Sequence, residues 1–299
     1  LDYTESFSKN VVENFTQMYA QGLTPNPCVE CNRSVKFDHF INQAKKLNCD
    51  KVATGHYAKI IKKNDKYELH KADFLDKDQS YVLHMLQSSD LENITFPLGE
   101  ISKPEVRQIA ARIGLRTAFK KDSQDICFVG KKDYRSFVEK RIDLTSPGEI
   151  FDTKGNKVGD HNGIHEFTVG QRKGLPGGYG TPRYVTKINV QNKNVTIGEK
   201  NDLLVSSFIV EELSCVNNLE YKNLTIQTRY NSEDLPCEIK KLSDTEVLVQ
   251  LKEPAFSVAP GQFGVIYNGT KVVCGGRISP KVLENVEWTK KMFEILLTS

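Results

Sequence analysis

Residues 24–32 read Thr-Pro-Asn-Pro-Cys-Val-Glu-Cys-Asn, and this stretch decides how the first part of the chain folds. Each of its two prolines fixes its own φ angle and lacks a backbone N–H, so the helical pattern that precedes them cannot continue. The sequence therefore predicts that Cys28 and Cys31 lie on a loop. A loop of this kind can direct two thiols into a cleft.

A helix precedes this stretch, and an αβ unit follows it. Apolar residues upstream recur at helical spacing and predict a core-facing helix that ends at Gly22. Downstream, the same spacing over residues 37–47 leads into a short strand at 50–54. A helix that feeds such a strand is typical of an open parallel sheet, whose ligands collect at the carboxyl ends of the strands. Gly55 and His56 are therefore candidate site residues.

The next segments carry three further local signals. Residues 58–72 alternate around Asn64-Asp65, which predicts a β-hairpin. Residues 76–80, Asp-Lys-Asp-Gln-Ser, are predicted to open a helix. Two interpretations stay open for them: a capped helix start in solvent, or exposed groups that hold a phosphate or ribose. Ser102 and Glu105 form a capping box that predicts a helix ending near residue 114.

The composition bounds the class of protein. The 299 residues suit two or three domains of roughly 100–150 residues each. No apolar run reaches the roughly 18 residues that a membrane helix needs, and no signal-peptide pattern is present. We therefore expect a globular, cytoplasmic protein without a membrane partner. The seven cysteines are an odd number, which favours reduced thiols over a disulfide framework.

The second half of the chain changes character after residue 145. Glycines and short alternating segments replace the helical pattern, and from about residue 206 the pattern is all β. Five or six short strands predict a small barrel or sandwich, which is a common platform for RNA. Residues 284–298 are predicted to form a terminal helix.

Basic residues surround a third cysteine, Cys127. The net charge of +3 says little about partners, and such groups are often a solvated face. Neighbouring cations nevertheless lower a thiol pKa and raise the thiolate fraction. Cys127 is therefore a candidate reactive thiol, whereas Cys215, Cys237 and Cys274 lie in β-patterned apolar segments and are expected to be core residues. The flanking cations are Lys120, Lys121, Lys131, Lys132 and Arg135.

Four kinds of chemistry are open to the Cys-x-x-Cys pair. A structural zinc site would require further ligands at regular spacing, and only an irregular set exists. A thioredoxin-like pair normally begins a helix after a strand. A partnership of Cys31 with the distant Cys127, suited to sulfur transfer, is the favoured hypothesis. An iron–sulfur cluster on Cys28, Cys31 and Cys127 is the remaining variant.

Eight motifs in order make the chain resemble the tRNA-specific 2-thiouridylases (MnmA), over nearly its whole length. Each motif alone is a weak signal, and the ordered set is specific. The motifs are 24–32, Ala-Thr-Gly-His-Tyr at 53–57, Lys-Asp-Gln-Ser-Tyr at 77–81, Phe-Pro-Leu-Gly at 96–99, Asp-Ser-Gln-Asp-Ile-Cys-Phe at 122–128, Gly-Gln-Arg-Lys-Gly-Leu at 170–175, Thr-Arg-Tyr at 228–230 and Pro-Gly-Gln at 260–262.

The resemblance implies an α/β plus all-β protein. A truncated Rossmann-like domain of the adenine nucleotide alpha hydrolase-like type is expected over 1–130, a small central β-rich domain over 131–203, a C-terminal β-barrel over 204–280 and a tail over 281–299. The implied activity is ATP-dependent 2-thiolation of the wobble uridine in the tRNAs for Lys, Glu and Gln. Its partners are tRNA and a sulfur-relay protein that donates a persulfide.

The resemblance also implies roles for individual residues. Cys127 matches the persulfide-bearing cysteine and Cys31 the nucleophile that completes the transfer and forms a disulfide with it. Gly55 is similar to a glycine that contacts the nucleotide. The segment against the target base corresponds to Asn26, Pro27 and Cys28, where many relatives have Asp in place of Cys28. The positions that match tRNA contacts are His56, Lys77, Asp78, Gln79, Arg229, Tyr230 and Gln262.

One departure from the family pattern is expected to matter. Family members begin with a strand and a Ser-Gly-Gly-Val-Asp-Ser phosphate loop, which does not occur in this sequence. Glycine-rich backbone amides of this kind hold ATP phosphates. We therefore expect this chain to be a fragment that binds ATP poorly. Two alternatives stay open: an RNA-binding protein without catalysis, and a thiolation protein that uses an iron–sulfur cluster.

Overall fold

The computed structural model of the protein describes residues 2–120, 126–130, 134–142, 146–214, 222–256 and 258–282. The helix predicted over 284–298 and Cys215 lie outside these ranges. Within them, no helix is long and apolar enough to cross a membrane.

Helix α1 opens the chain, as predicted. It consists of Thr4–Phe7, Ser8–Glu13 and Asn14–Ala20, and the middle segment has π-type hydrogen bonds. The residues that it buries include Val11, Phe15 and Met18, which belong to the predicted apolar stripe. The chain then turns at Gly22, whose φ of +66° is the left-handed conformation that favours glycine.

Helix α2 begins where a loop was predicted. It consists of Pro27–Glu30, Cys31–Phe37 and Asp38–Lys46, and the middle segment again has π-type hydrogen bonds. The prediction that Cys28 and Cys31 lie on a loop is therefore wrong. Proline is tolerated in the first turn of a helix because the N–H that it lacks would have no intrahelical partner there. Pro27 starts this helix rather than breaking one.

Three shorter helices complete the helical part: α3 Ser88–Leu91, α4 Lys103–Arg112 and α5 Tyr134–Glu139. The predicted cap of α4 is confirmed, since the Glu105 backbone N–H donates to Ser102 Oγ at 3.4 Å. The helix predicted to open at residues 76–80 is wrong. The chain forms two short 3₁₀ turns there instead, Leu75–Lys77 and Ser80–Leu83.

A small parallel pair of strands lies beside α2. It joins β1, Val52–Ala53, to β4, Ile94–Thr95. The predicted strand at 50–54 is thus present in shorter form. The hairpin predicted over 58–72 is confirmed as β2 (Ala58–Lys63) and β3 (Lys66–Lys71), and both residues of its Asn64-Asp65 turn have positive φ.

The central domain contains one four-stranded sheet in the order β6-β5-β8-β7. The β5–β8 pair is parallel and the other two pairs are antiparallel. Its buried core includes Ile150, Val185 and Val195. The strands are β5 Gly148–Asp152, β6 Lys157–His161, β7 Tyr184–Asn189 and β8 Asn194–Gly198.

The C-terminal strands close into a six-stranded antiparallel barrel. Its order is β13-β10-β11-β12-β9-β14, and pairing of β13 with β14 completes the ring. The β2–β3 hairpin extends this sheet through the pair Lys271 and His70. The strands are β9 Leu204–Glu211, β10 Leu224–Gln227, β11 Leu235–Lys241, β12 Val247–Phe256, β13 Phe263–Asn268 and β14 Lys271–Ile278. The predicted α/β plus all-β class with a C-terminal barrel is confirmed.

Candidate active site

The first turn of α2 fixes two of the predicted site cysteines. Asn26 caps the helix, since its Oδ1 accepts a hydrogen bond from the Cys28 N–H at 3.2 Å. Pro27 occupies the first turn and is buried. Cys28 is exposed and Cys31 is half-buried. Residues three apart on a helix share a face, so the two thiols lie near each other on one side of α2.

The third site cysteine, Cys127, lies on a tight turn over 126–130. The backbone N–H groups of Val129 and Gly130 both donate to the Ile126 carbonyl, at 3.1 and 3.3 Å. The next side chain, Phe128, packs edge-on against Phe15 of α1 with ring centroids 5.3 Å apart. Cys127 itself is exposed. Aromatic packing thus anchors the turn while its thiol faces solvent.

Cys127 lies within electrostatic reach of both Cys28 and Cys31. Desolvation raises the pKa of Cys28, and negative charge on the nearby Cys127 raises it further. Desolvation also raises the pKa of Cys31; Lys36 opposes this effect and Cys127 adds to it. Helix α1 links the two segments, because Phe15 contacts Phe128, and Tyr3, just before the helix, stacks on His39 of α2 with ring centroids 4.7 Å apart. The cysteines of the described chain are free thiols, and Cys237 and Cys274 are buried as predicted.

The three thiols do not form a compact metal-binding group. In the described part of the chain, three ligand atoms that all lie within 4.8 Å of one another are found at Glu139, His165 and Glu166 instead. That group already contains an ion pair, since His165 Nε2 lies 3.1 Å from Glu139 Oε1. The arrangement of the thiols therefore does not support the zinc interpretation.

Gly55 and His56 follow β1, as predicted. His56 Nδ1 lies 2.8 Å from Thr54 Oγ1, and its ring lies near Phe37 and Phe96, with centroids 5.8 and 6.0 Å away. Desolvation, together with the charge of Lys36, lowers the pKa of His56 to about 4. The imidazole is therefore neutral at pH 7.

The barrel holds the segment that leads into α2. The Gln262 side chain donates to the carbonyls of Thr24 and Pro25, at 3.1 and 3.4 Å, and the Thr24 N–H donates to the Pro260 carbonyl at 2.9 Å. Gly261 has a φ of +88°, and a Cβ there would lie 2.8 Å from the Thr24 nitrogen. The Pro-Gly-Gln motif therefore positions the cysteine segment, a role that sequence analysis did not assign to it.

A buried ion pair makes a second connection between the barrel and α2. Glu30, between the two cysteines, is 4% exposed, and its Oε1 lies 3.1 Å from Arg277 Nη2 of β14. Arg277 is 8% exposed and also contacts Glu212. Sequence analysis missed this pair, because nothing local links two residues so far apart in the chain.

Two side chains of the 77–79 motif, those of Asp78 and Gln79, form hydrogen bonds within the protein. Asp78 is buried, and its carboxylate accepts hydrogen bonds from the Ala72 N–H at 2.8 Å and the Ser80 hydroxyl at 2.6 Å. Gln79 Oε1 accepts from the Tyr57 N–H at 3.0 Å. Lys77 lies in the preceding 3₁₀ turn. The Asp78 carboxylate is therefore not among exposed groups, and the tRNA contacts of this motif stay a prediction.

Arg229 and Tyr230 lie beside this motif, at the end of β10. Tyr230 is 40% exposed, and its ring centroid lies 6.1 Å from that of the buried Tyr81. Both tyrosines and Asp78 line a cleft of about 420 Å³ between the 75–81 segment and the barrel. Of the predicted tRNA-contact residues, Asp78 and Tyr230 line this cleft.

Three family models match consecutive parts of the chain. They are described as a tRNA methyl transferase HUP domain over residues 1–131, a tRNA methyl transferase PRC-barrel domain over 135–199, and an aminomethyltransferase β-barrel domain over 205–278. Together they follow the order of the three regions in the structure.

Curated relatives match the chain along most of its length. A tRNA-specific 2-thiouridylase MnmA from Chloroflexus aggregans is 41% identical over 285 residues, which cover 93% of this chain and 79% of that protein. The enzyme of the same name from Rickettsia prowazekii is 40% identical and is matched over 80% of its length. The chain belongs to the tRNA-specific 2-thiouridylase (MnmA) family. The MnmA resemblance inferred from the eight motifs is thereby confirmed.

The MnmA assignment also settles the fold class of the first region. The HUP-domain match identifies the helices and the parallel β1–β4 pair as Rossmann-like in type. A similar MnmA from Geobacter metallireducens is 40% identical over 288 residues, which cover 95% of this chain and 78% of that protein. The family therefore accounts for the helical region, the central sheet and the barrel together.

Proposed function

We propose that this chain carries out ATP-dependent 2-thiolation of the wobble uridine in the tRNAs for Lys, Glu and Gln. The observation that supports the proposal most directly is that Cys31 and Cys127, which are far apart in the sequence and are both free thiols, lie within electrostatic reach of each other. The names of the curated relatives support the same reaction class.

The proposed reaction begins with activation of the base. ATP adenylates the 2-oxygen of the uridine and releases pyrophosphate. A persulfide on Cys127 then attacks the 2-carbon, AMP leaves, and the outer sulfur is bonded to both the base and Cys127. The Cys31 thiolate attacks Cys127 Sγ, so the bond to the outer sulfur breaks and a Cys31–Cys127 disulfide forms. An external dithiol supplies the two electrons that restore both thiols.

Features of the described residues suit the substrates. Cys127 is exposed on its turn, as a thiol that accepts sulfur from a relay protein needs to be. Gly55 has no left-handed φ, and a Cβ there would meet only Leu98 Cδ1 at 3.7 Å, so the fold itself does not require glycine. A position without a side chain is suited to close approach by a nucleotide.

The proposal assigns a task to each region. The domain over 1–130 holds the thiols, with Asn26, Pro27 and Cys28 against the target base and Gly55 at the nucleotide. The central domain over 131–203 and the barrel over 204–280 bind tRNA through backbone and shape contacts. The proposed tRNA contacts are the side chains of His56, Lys77, Gln79, Arg229, Tyr230 and Gln262, with Tyr230 at the cleft, whereas Asp78 has a buried carboxylate and is proposed to hold the contact segment in place. An iron–sulfur cluster has no support in the arrangement of the thiols and is not part of the proposal.

The test is thiolation of an anticodon stem-loop with ATP and a persulfide-loaded donor protein, followed on gels that retard thiolated RNA. Cys127→Ser and Cys31→Ser are each expected to abolish thiolation and to leave tRNA affinity unchanged. Cys49→Ser, at another exposed cysteine, is the matched control and keeps full activity. Loss of tRNA binding in the Cys127 variant would show a structural role and contradict the proposal.

A further inference from the structure

Lys36 is a cation inside the thiol site that neither the motifs nor the proposed reaction uses. It lies in the segment Cys31–Phe37, whose backbone has π-type hydrogen bonds. In such a turn the bonding runs from residue i to residue i+5, so Lys36 follows Cys31 by one turn. Single π turns inside α-helices are frequent at functional sites. Here the turn places an ammonium on the thiol face of α2.

Two hydrogen bonds hold the Lys36 ammonium in place. Its Nζ donates to Asn32 Oδ1 at 2.9 Å. Asn32 is 2% exposed, and its Nδ2 donates to the Val82 carbonyl at 2.9 Å. Val82 belongs to the buried core beneath the site. The Lys36 ammonium is therefore hydrogen-bonded to a buried side chain, unlike the ammonium of a solvated surface lysine.

The charge of Lys36 acts on groups from two elements, α2 and the loop after β1. Desolvation raises the pKa of Cys31 and of Cys28, on the same helix as Lys36, and the charge of Lys36 offsets part of that rise. It also lowers the pKa of His56, after the larger effect of desolvation, in the loop that follows β1. Negative charge on Cys127, from the turn over 126–130, acts in the opposite sense on both thiols. Lys36 is thus the neighbouring cation that favours a thiolate here.

We propose that Lys36, clamped by Asn32, is a positioning residue that stabilises the Cys31 thiolate when it attacks Cys127. The inference rests on the proposed function and adds the source of the thiolate to it. The proton of Cys31 goes to solvent, and the new sulfur–sulfur bond joins Cys31 to Cys127. The electron pair of the broken bond stays on the sulfur that the base retains.

The test is the pH profile of Cys31 alkylation by iodoacetamide in the full chain, with each cysteine followed by mass spectrometry. Lys36→Met removes the charge, so the profile shifts to higher pH. The rate near pH 7.5 falls about two- to fivefold, the range of a partly screened charge pair. Lys36→Arg keeps the charge and is expected to restore most of the rate. Lys46→Met, in the exposed last turn of α2, is the matched control and leaves the profile unchanged.

An unchanged profile in Lys36→Met would overturn the inference, as would an equal shift in Lys36→Arg. If Lys36→Met fails to fold, Lys36→Gln serves instead, because its amide can still donate to Asn32 without a charge. Alkylation requires neither tRNA nor ATP. A failure of the inference is therefore distinguishable from a failure of the proposed thiolation, which is measured with Cys127→Ser.

Discussion

The two segments that meet at the site are held by different forces. The α2 segment is held by polar contacts with the barrel: Gln262 binds the chain before Cys28, and Arg277 pairs with the buried Glu30. The Cys127 turn is held by the packing of Phe128 against aromatic rings of α1. Charge-assisted hydrogen bonds fix the geometry of the first segment, and edge-on aromatic contacts hold the second mainly through buried apolar area. We therefore expect the position of Cys31 to depend on the polar contacts and that of Cys127 on the aromatic packing.

The largest expected effect comes from breaking the buried ion pair. Arg277→Met leaves Glu30 with Arg33 alone and is expected to lower the free energy of unfolding by about 3 kcal/mol, because a buried charge loses its buried partner. Urea unfolding measures this value. Arg33→Met is the control, since the Arg33 side chain is 52% exposed and its loss is expected to cost less than about 1 kcal/mol. Equal losses in the two variants would contradict the assignment of Arg277 as the main anchor.

The glycine contact between the barrel and the α2 segment is expected to have the next largest effect. Gly261→Ala is expected to lower the free energy of unfolding by about 1 kcal/mol because of its left-handed backbone. The collision with Thr24 is expected to lower it by at least about as much again. Gly269→Ala also has a positive φ but faces open space, so its free energy of unfolding falls only by the backbone contribution. Thermal or urea unfolding of both variants gives the difference. A difference near zero would show that the segment can move away without cost.

Removal of the Phe128 ring tests how the Cys127 turn is held. Phe128→Ala loses the packing of a half-buried ring, about 1.5 kcal/mol, and releases the Cys127 turn. We expect slower formation of a Cys31–Cys127 disulfide under mild oxidation, quantified by mass spectrometry, with the iodoacetamide reactivity of Cys31 unchanged. Phe128→Leu is the control and retains most of the disulfide yield. Faster disulfide formation in Phe128→Ala would mean that the anchor keeps the thiols apart.

The smallest expected effect at neutral pH comes from His56 in the loop after β1, and it grows as the pH falls. The pKa of folded His56 is about 4, below its unfolded value of about 6.5, so the unfolded chain takes up a proton first as the pH falls. The stability that neutral His56 provides is complete above pH 6.5 and is lost between about pH 6.5 and 4. His56→Gln is expected to reduce the loss of unfolding free energy between pH 7 and 5 by about 2 kcal/mol. Equal losses in the variant and the parent would show that His56 is not the group responsible.

Local patterns in the sequence predicted the elements that local forces determine. The Asn64-Asp65 hairpin and the Ser102 cap of α4 are examples, and both are present. The start of α2 was misread although its signal is local, because Asn26 followed by Pro27 is a cap and a first-turn proline as well as a turn pair. The sequence analysis gave the prolines the role of helix breakers, whereas Pro27 starts the helix.

The parts of the site that could not be predicted depend on distant contacts or on an irregular turn. Glu30 and Arg277 meet only because the barrel closes against α2. Lys36 reaches the thiol face through a π turn, whereas the usual helical spacing would pair Cys31 with residues three or four positions away. The partnership of Cys31 with Cys127 was favoured from the cysteine contexts and implied by the resemblance, and the structure adds the contact of Phe128 with α1 that holds the Cys127 turn.

The turn at Gly22 has a consequence for motion within the molecule. A Cβ at Gly22 would lie 3.0 Å from Ile188 of the central sheet, and two residues later Thr24 is bound to the barrel. Residues 22–24, just before the cysteines, therefore contact both the central sheet and the barrel. A change in the angle between those domains would therefore displace residues 22–24, which lead directly into the helix that carries Cys28 and Cys31.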